Sequence, residues 1–345
     1  MKSYQCLKAS NISGNPDDFA SLKCEWLPQI PPEVKNDDVQ IEVHFSSINY
    51  KDALAVTGRG KILRQLPLVP GIDASGVVIK SRSEKFREGD EVIVTGCGIG
   101  EMNDGGLGQV ITVPAAWVIR KPSSLTMETA AILGTAGFTA ALAIHQLEKN
   151  DLTPEALPVL VTGATGGVGS LSLLMLKQKG YKITAWSRKS LAPEDQTRKN
   201  SVLEQLKSWG ADDVQAPPTA PSRFLESAKW SAAIDNVGGT VLAQLLPQIK
   251  PHGSVASVGL AQSAKLETTV FPFILRGVNI LGTSSATCPR PLREKVWEII
   301  NSLNCDWRAV KTVDLGRSQV VDHCQKMLRG ETFGRNLVHM QKEVM

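Results

Sequence analysis

The segment that most restricts what this chain can become is Val159-Leu160-Val161-Thr162-Gly163-Ala164-Thr165-Gly166-Gly167-Val168-Gly169. Its apolar start predicts a short buried strand over 158–162, and the residues after the glycines predict a helix over 168–180. In the G-x-G-x-x-G register, Ala164 replaces the first glycine, and Gly166 and Gly169 fill the other two positions. Glycine at 166 lets the backbone approach a pyrophosphate, and glycine at 169 lets the helix pack closely on the strand. The start of such a helix offers unpaired amides and the positive end of the helix dipole. A bare glycine triplet also marks ordinary tight turns. The strand before it and the helix after it are what make this one a dinucleotide cradle. Thr165, Gly166, Gly167, Val168 and Gly169 are therefore expected against the phosphates.

The end of the next predicted strand selects the dinucleotide. A binder of the free ribose 2′-hydroxyl places Asp or Glu there, roughly 20 residues after the turn. Here the chain reads Trp186-Ser187-Arg188-Lys189. A carboxylate would repel a 2′-phosphate, whereas Ser187, Arg188 and Lys189 can hold one through charge-assisted hydrogen bonds. NADPH is thus expected over NADH, with a merely solvated basic loop as the alternative. Further strand ends supply candidates of the same kind. Asp235-Asn236-Val237-Gly238-Gly239 closes one strand and Gly259-Leu260 the next, so Asn236, Gly259 and Leu260 are expected near the cofactor, where open α/β sheets bind ligands.

From residue 157 to about 282, strands (182–186, 232–234, 254–258, 278–281) alternate with helices (168–180, 201–209, 241–246). That alternation predicts a parallel sheet covered by helices on both faces. The first 127 residues differ. Val39 to Phe45 alternates apolar with polar, Glu91 to Thr95 follows a Gly-Asp turn, and glycines crowd 96–108, all signs of a β-rich module. Ser124 with Glu128 resembles a cap for an alanine-rich helix reaching Leu147. After a helix over 292–303 the tail returns to strand-like pieces at 310–315 and 336–339. At 345 residues the chain exceeds what one core usually supports. The expected architecture is an α/β protein in which a Rossmann domain, 128–287, is inserted into a β-rich domain made of 1–127 plus 288–345.

Composition excludes several classes. Hydrophobic residues make up 42% and charged residues 21%, so disorder is not the dominant state. The net charge of +4 is scattered rather than gathered into a stripe, which argues against nucleic-acid binding. No two of the six cysteines form a CxxC pair or sit beside a histidine at metal-ligand spacing, so no metal site is expected. The start, MKSYQCLKASNISGN, has no apolar signal core, and Ala130 to Leu142 is broken by glycines and threonines and reads as too short for a membrane span. No membrane association is expected, and the default location is the cytoplasm.

The chain resembles the medium-chain dehydrogenase/reductase superfamily in its zinc-free, quinone-oxidoreductase-like division, and within it the NADPH-dependent acrylyl-CoA reductase family. The matching stretches include Ser47-Ile48-Asn49-Tyr50-Lys51-Asp52, Val69-Pro70-Gly71-Ile72-Asp73, Gly134-Thr135-Ala136-Gly137-Phe138-Thr139-Ala140, the glycine turn, Pro272-Phe273-Ile274-Leu275-Arg276-Gly277 and Gly334-Arg335. The resemblance implies a GroES-like β domain, an inserted Rossmann domain and an active site in the cleft between them. Zinc-dependent relatives carry Gly-His-Glu where this chain has Gly71-Ile72-Asp73, and Ile72 cannot ligate a metal.

Without zinc, the chemistry implied is hydride delivery to an activated acceptor. The leading expectation is reduction of acrylyl-CoA to propionyl-CoA. A quinone or enone acceptor is the alternative, and a non-catalytic NADPH-binding protein the outsider. The resemblance places Tyr50 beside the nicotinamide, as a proton-donating or packing group, with Asn49 orienting its loop and Asp52 pairing with Lys51 or another basic neighbour. It also implies that Thr135, Ile274 and Ser285 meet the nicotinamide side. Arg335 either clamps a phosphate or is a plain surface arginine. A CoA substrate would want cations, with Arg59, Lys61, Arg64, Arg276, Arg290, Arg293 and Lys295 as candidates. Set against that resemblance, the polar stretch 190–200 is longer than the family's usual connection and borders the 2′-phosphate site, where Arg198 or Lys199 can assist or stay in solvent. A homodimer through the last Rossmann strand, near Val278 to Gly282, is the expected assembly.

Overall fold

The computed structural model describes residues 3–11, 21–154, 157–188, 196–219 and 223–342, with the side chains of 196–199 outside that description. Lys189 and the stretch 190–195 fall outside the described residues, as do the side chains of Arg198 and Lys199. The chain divides into two compact units. The first runs to Thr135 and takes up Ala286–Asn301 and the chain from Lys311. The second holds Ala136–Ser285 and Ser302–Val310.

The first unit opens with an antiparallel pair, β1 (Tyr4–Asn11) and β2 (Leu22–Gln29). It continues through β3 (Asp38–Ser47), a short helix α1 (Tyr50–Val56), β4 (Asp73–Ser81), β5 (Glu91–Thr95), β6 (Val110–Pro114) and β7 (Ile119–Arg120). In β3 the apolar Val39, Ile41 and Val43 are buried while Gln40, Glu42 and His44 are not, the two-residue period of a strand with one wet face. These valines and isoleucines pack with Val92, Val94, Ile111 and Val113 into one core.

Helix α2 (Met127–Glu148) then leads into the second unit. Its cap is Thr126 rather than Ser124: Thr126 Oγ1 accepts the Thr129 amide at 3.1 Å while Thr129 Oγ1 accepts the Thr126 amide at 2.9 Å. Ser124 instead bonds to Asn301. Gly134 interrupts the helix with φ 46°, ψ −150°. The turn before it belongs to the first unit, where Glu128 pairs with Lys311 at 2.7 Å. The units change over at Thr135/Ala136, one residue past this break, and at Ser285/Ala286, where the sequence pattern suggested 127/128 and 287/288. By length and composition this 22-residue helix could cross a membrane, contrary to the reading of its interrupted apolar run, yet 83% of its most apolar window is buried inside the protein.

The second unit is built from β8 (Val159–Thr162), α3 (Gly167–Gln178), β9 (Ile183–Trp186), α4 (Gln196–Ser208), β10 (Asp213–Gln215), β11 (Trp230–Asp235), α5 (Gly239–Leu245), β12 (Ile249–Ser257), α6 (Phe271–Arg276) and β13 (Asn279–Gly282). All its strand pairings are parallel, in the order β10-β9-β8-β11-β12-β13. Every residue of β8, β9 and β11 is buried, as a sheet covered on both faces requires. The winding reverses between β8 and β11, and the crevice for a ligand in such a sheet lies outside the carboxyl ends of the strands at that reversal.

The chain returns to the first unit through α7 (Arg290–Ser302), β14 (Lys311–Leu315), α8 (Val320–Leu328) and β15 (Arg335–His339). The seven-stranded sheet runs β14-β15-β3-β4-β5-β7, with β6 paired to β3.

Candidate active site

The second unit carries the glycine turn at the carboxyl end of β8. Gly163 has φ +57°, and its carbonyl accepts the Gly166 amide at 2.9 Å, which closes the turn. A Cβ on Gly169 would lie 2.5 Å from the Gly163 carbonyl oxygen and 2.7 Å from Ala164 Cα, so no other residue fits there. Gly166 is exposed at the N-cap of α3, and Gly167 and Val168 are half-buried behind it, which leaves the first-turn amides without intrahelical partners beside an open approach. Thr165 is buried within the turn.

Across the switch point, Thr162 Oγ1 donates to Asp235 at 2.6 Å, and the Gly238 amide donates to the same carboxylate at 2.8 Å. Burial raises the Asp235 pKa, opposed by these bonds. They fix the β11 end, so that Asn236 donates from Nδ2 to the Thr162 carbonyl at 2.8 Å. Its Oδ1 is buried and accepts nothing from the protein. The Gly259 position is as tight as Gly169, since a Cβ there would meet the Asn236 carbonyl at 2.5 Å.

These observations fit a dinucleotide: an open helix N-terminus, a cradle that only glycine permits and a buried acceptor awaiting a donor. At the end of β9, Ser187 is buried, its amide held by the Gln215 carbonyl, and Arg188 is exposed directly after it. Leu260 and Ile274 are exposed, and Ser285 is half-buried at the end of the unit.

The first unit carries a separate polar cluster. Neighbouring strands β15, β3 and β4 place Arg335, Ser47 and Asp73 in a row. Arg335 is 2% exposed, and its guanidinium donates to the Ile132 carbonyl (2.6 Å), Asn49 Oδ1 (3.0 Å) and Ser47 Oγ (2.6 Å). It lies 3.6 Å from the Asp73 carboxylate. Arg335 is thus not a surface arginine: it is buried, and each of its three guanidinium nitrogens donates within the unit. Burial lowers its pKa, with Asp73 and Asp52 opposing.

Asp73 accepts from Ser47 Oγ at 2.6 Å, Asn49 Nδ2 at 2.8 Å and the Thr135 amide at 2.8 Å. Asp52 accepts from the Asn49 amide and the Ile72 amide, both at 2.8 Å. Burial, and then the Asp73 charge, push Asp52 up to about 7, against the bonds from Asn49 and Ile72. Lys51 pairs with Glu101 at 2.9 Å, not with Asp52. Tyr50 opens α1 and is 43% exposed, so its ring stands out from the anchored turn.

Asp73 and Ser47 are the members that sequence reasoning missed as site residues. The signal was present: an acid follows Ile72 at the place where zinc-dependent relatives keep one. Ile72 is itself buried, and among the described residues no three His, Cys, Asp or Glu side chains gather as a metal would require. Several expected CoA-binding cations are committed elsewhere. Arg276 donates to the carbonyls of Pro247, Ile249 and Glu226, Arg293 is buried against Thr95, and Arg290 bonds Glu294 and the Ala116 carbonyl. Lys295 lies within ion-pair reach of Glu298. Arg59 and Arg64 are exposed, as is Lys61.

The alcohol dehydrogenase GroES-like domain family matches residues 35–123, and the zinc-binding dehydrogenase family matches residues 167–302. Acrylyl-CoA reductase AcuI of Ruegeria pomeroyi is 42% identical over 76% of this chain and 78% of its own. The yhdH oxidoreductase of Salmonella enterica, solved in complex with NADP, is 37% identical with a TM-score of 0.87, over 98% of this chain and 100% of that one. Bacillus subtilis yhfP, solved with NAD bound, is 37% identical with a TM-score of 0.89 at the same coverage. With both domain families matched in order and relatives of this identity spanning most of its length, the chain belongs to the quinone-oxidoreductase-like family of the medium-chain dehydrogenase/reductases.

Proposed function

We propose that this enzyme reduces the C=C bond of an α,β-unsaturated thioester, acrylyl-CoA, with NADPH. The observation that carries the reading is the 42% identity to acrylyl-CoA reductase AcuI, joined to a site whose residues suit NADPH. When bound, NADPH supplies the hydride. The residues of the second unit do the holding. The α3 amides and the glycine turn would take the pyrophosphate, while Ser187, Arg188 and Lys189 would take the 2′-phosphate. Asn236 Oδ1 would accept from the nicotinamide end, with Gly259, Leu260, Ile274 and Ser285 nearby in the same unit.

In the first unit, Tyr50 would direct its hydroxyl to the substrate and hold the proton that the α-carbon receives. Asn49 would fix the turn on which Tyr50 stands. Of the cation candidates for CoA, Arg59, Lys61, Arg64 and Lys295 are exposed, and Lys295 stands within ion-pair reach of Glu298. All six cysteines are free thiols, which suits the cytoplasm we propose as its location. We also propose a homodimer. Among the described residues β13 ends the sheet with an unpaired edge, and Ile274 and Leu275 on the same unit are 69% and 60% exposed.

The test is steady-state kinetics with NADPH on acrylyl-CoA against 1,4-benzoquinone. A higher kcat/KM on acrylyl-CoA is expected. A preference for the quinone by orders of magnitude would replace the thioester with a quinone. NADPH bound but consumed with neither acceptor would remove the enzyme altogether.

A further inference from the structure

Asp73 has no assigned part in the site, yet its carboxylate joins Ser47, Asn49 and Thr135. One of its oxygens accepts from Ser47 Oγ and Asn49 Nδ2, and the other from the Thr135 amide. Asn49 and Thr135 lie 86 positions apart in sequence, so a single carboxylate fixes two remote candidate residues relative to each other. The backbone is shaped around it as well. A Cβ on Gly134 would lie 2.4 Å from Asp73 Oδ2, and Gly134 takes φ +46°, so the approach that lets Thr135 donate to Asp73 needs glycine.

Asn49 in turn is tied at every polar atom. Its amide goes to Asp52, its Nδ2 to Asp73, and its Oδ1 accepts from Arg335. Tyr50 follows directly, with no freedom left at the peptide before it. A buried ion pair is a poor way to stabilise a fold, since matched apolar groups commonly do as well. The Asp73–Arg335 pair is 3% and 2% exposed, so stability alone does not account for it.

We propose that Asp73 is a positioning residue of this reductase: with Arg335 as its counter-ion, it sets the Asn49–Tyr50 turn and the Thr135 backbone without touching the substrate. The inference rests on the reductase reading given above.

The test compares Asp73→Asn, the charge-balanced Asp73→Asn/Arg335→Gln pair and Ser47→Ala. Thermal denaturation is read beside kcat and KM, on whichever of acrylyl-CoA and 1,4-benzoquinone the wild-type enzyme reduces better. The expected result is a kcat loss of about 100-fold in both Asp73 variants with KM for NADPH within about threefold of wild type, the scale of a misplaced reacting group. The balanced pair should recover Tm relative to Asp73→Asn but not kcat, which a purely structural role would not produce. Ser47→Ala deletes one hydroxyl from the row and carries the test should the larger changes not fold; its kcat should fall about 3–10-fold. Wild-type kcat in the balanced pair or in Ser47→Ala, or kcat recovering together with Tm, overturns the proposal. A wild-type enzyme that reduces neither acceptor overturns the reductase reading instead.

Discussion

Asp52 is buried beside a second buried acid, and Asp73 and Asp52 share the field of one guanidinium, that of Arg335. Its pKa rises on folding from the ordinary carboxylate value to about 7. Between those values the folded chain holds a proton that the unfolded chain has released. The stability it contributes is therefore present below about pH 4, is lost as pH rises towards 7, and is level above that. The slope is at most about 1.4 kcal/mol per pH unit. Urea denaturation at pH 5, 6, 7 and 8 should show a loss in the wild type that Asp52→Asn lacks; parallel curves would refute it. The groups facing Asp52 are Asn49, the Ile72 amide, Asp73, Arg335 and Cys324 of α8.

At Arg188, removing the guanidinium should lower NADPH affinity by about tenfold and leave NADH affinity nearly unchanged, the loss of one charge-assisted contact. Fluorescence titration of Arg188→Ala with both cofactors reads it, and an unaltered ratio would return NADPH preference to other residues. The expectation at Arg188 comes from residue identity, from its charge and its place after a strand. Asp73 was not legible in this way. Its meaning comes from Arg335, Ser47 and Thr135, brought together by strand order and by the break of α2 at Gly134, and no local pattern encodes that.

Elements follow the same division. β8, the turn and α3 could be read because their pattern is local: an apolar run, glycines at fixed offsets and a helix. Gly169→Ala tests the reading. The new methyl cannot fit against the Gly163 carbonyl, so the helix must move away from the strand. A stability loss of about 1–3 kcal/mol and NADPH binding weakened at least about tenfold are expected, by denaturation and titration. Unchanged binding would show that the turn does not hold the cofactor. Two of the missed elements are short, whereas the eight-residue β1 and β2 and the nine-residue α8 were missed despite their length. The seven-residue α1 is fixed by what Asn49 and Asp52 bond to, and the three-residue β10 by pairing with β9. The α2 cap slid from Ser124 to Thr126 because two threonines one turn apart satisfy each other, while Ser124 finds Asn301.

At the scale of the whole molecule, the insertion of one domain in another could be read from the change of period, but its limits could not. They depend on which side of Gly134 packs where, and on a short segment the sequence pattern assigned to the wrong unit. The proposed dimer is tested here. Ile274→Asp with Leu275→Asp should convert a species of two chain masses, by light scattering, into one of one chain mass; a wild-type monomer would refute the assembly. That short segment has a practical side. Ser302–Val310 belongs to the second unit although α7 of the first precedes it. The fully buried Trp209 donates from Nε1 to the Ala309 carbonyl at 2.9 Å, and Cys305 reaches the Leu174 carbonyl. The cofactor-binding half is thus not one stretch of gene. A chimera that transplants 136–285 alone leaves an indole without its acceptor and strips a side of α3, so a portable cassette must carry 302–310 as a second piece, or be permuted to join the two.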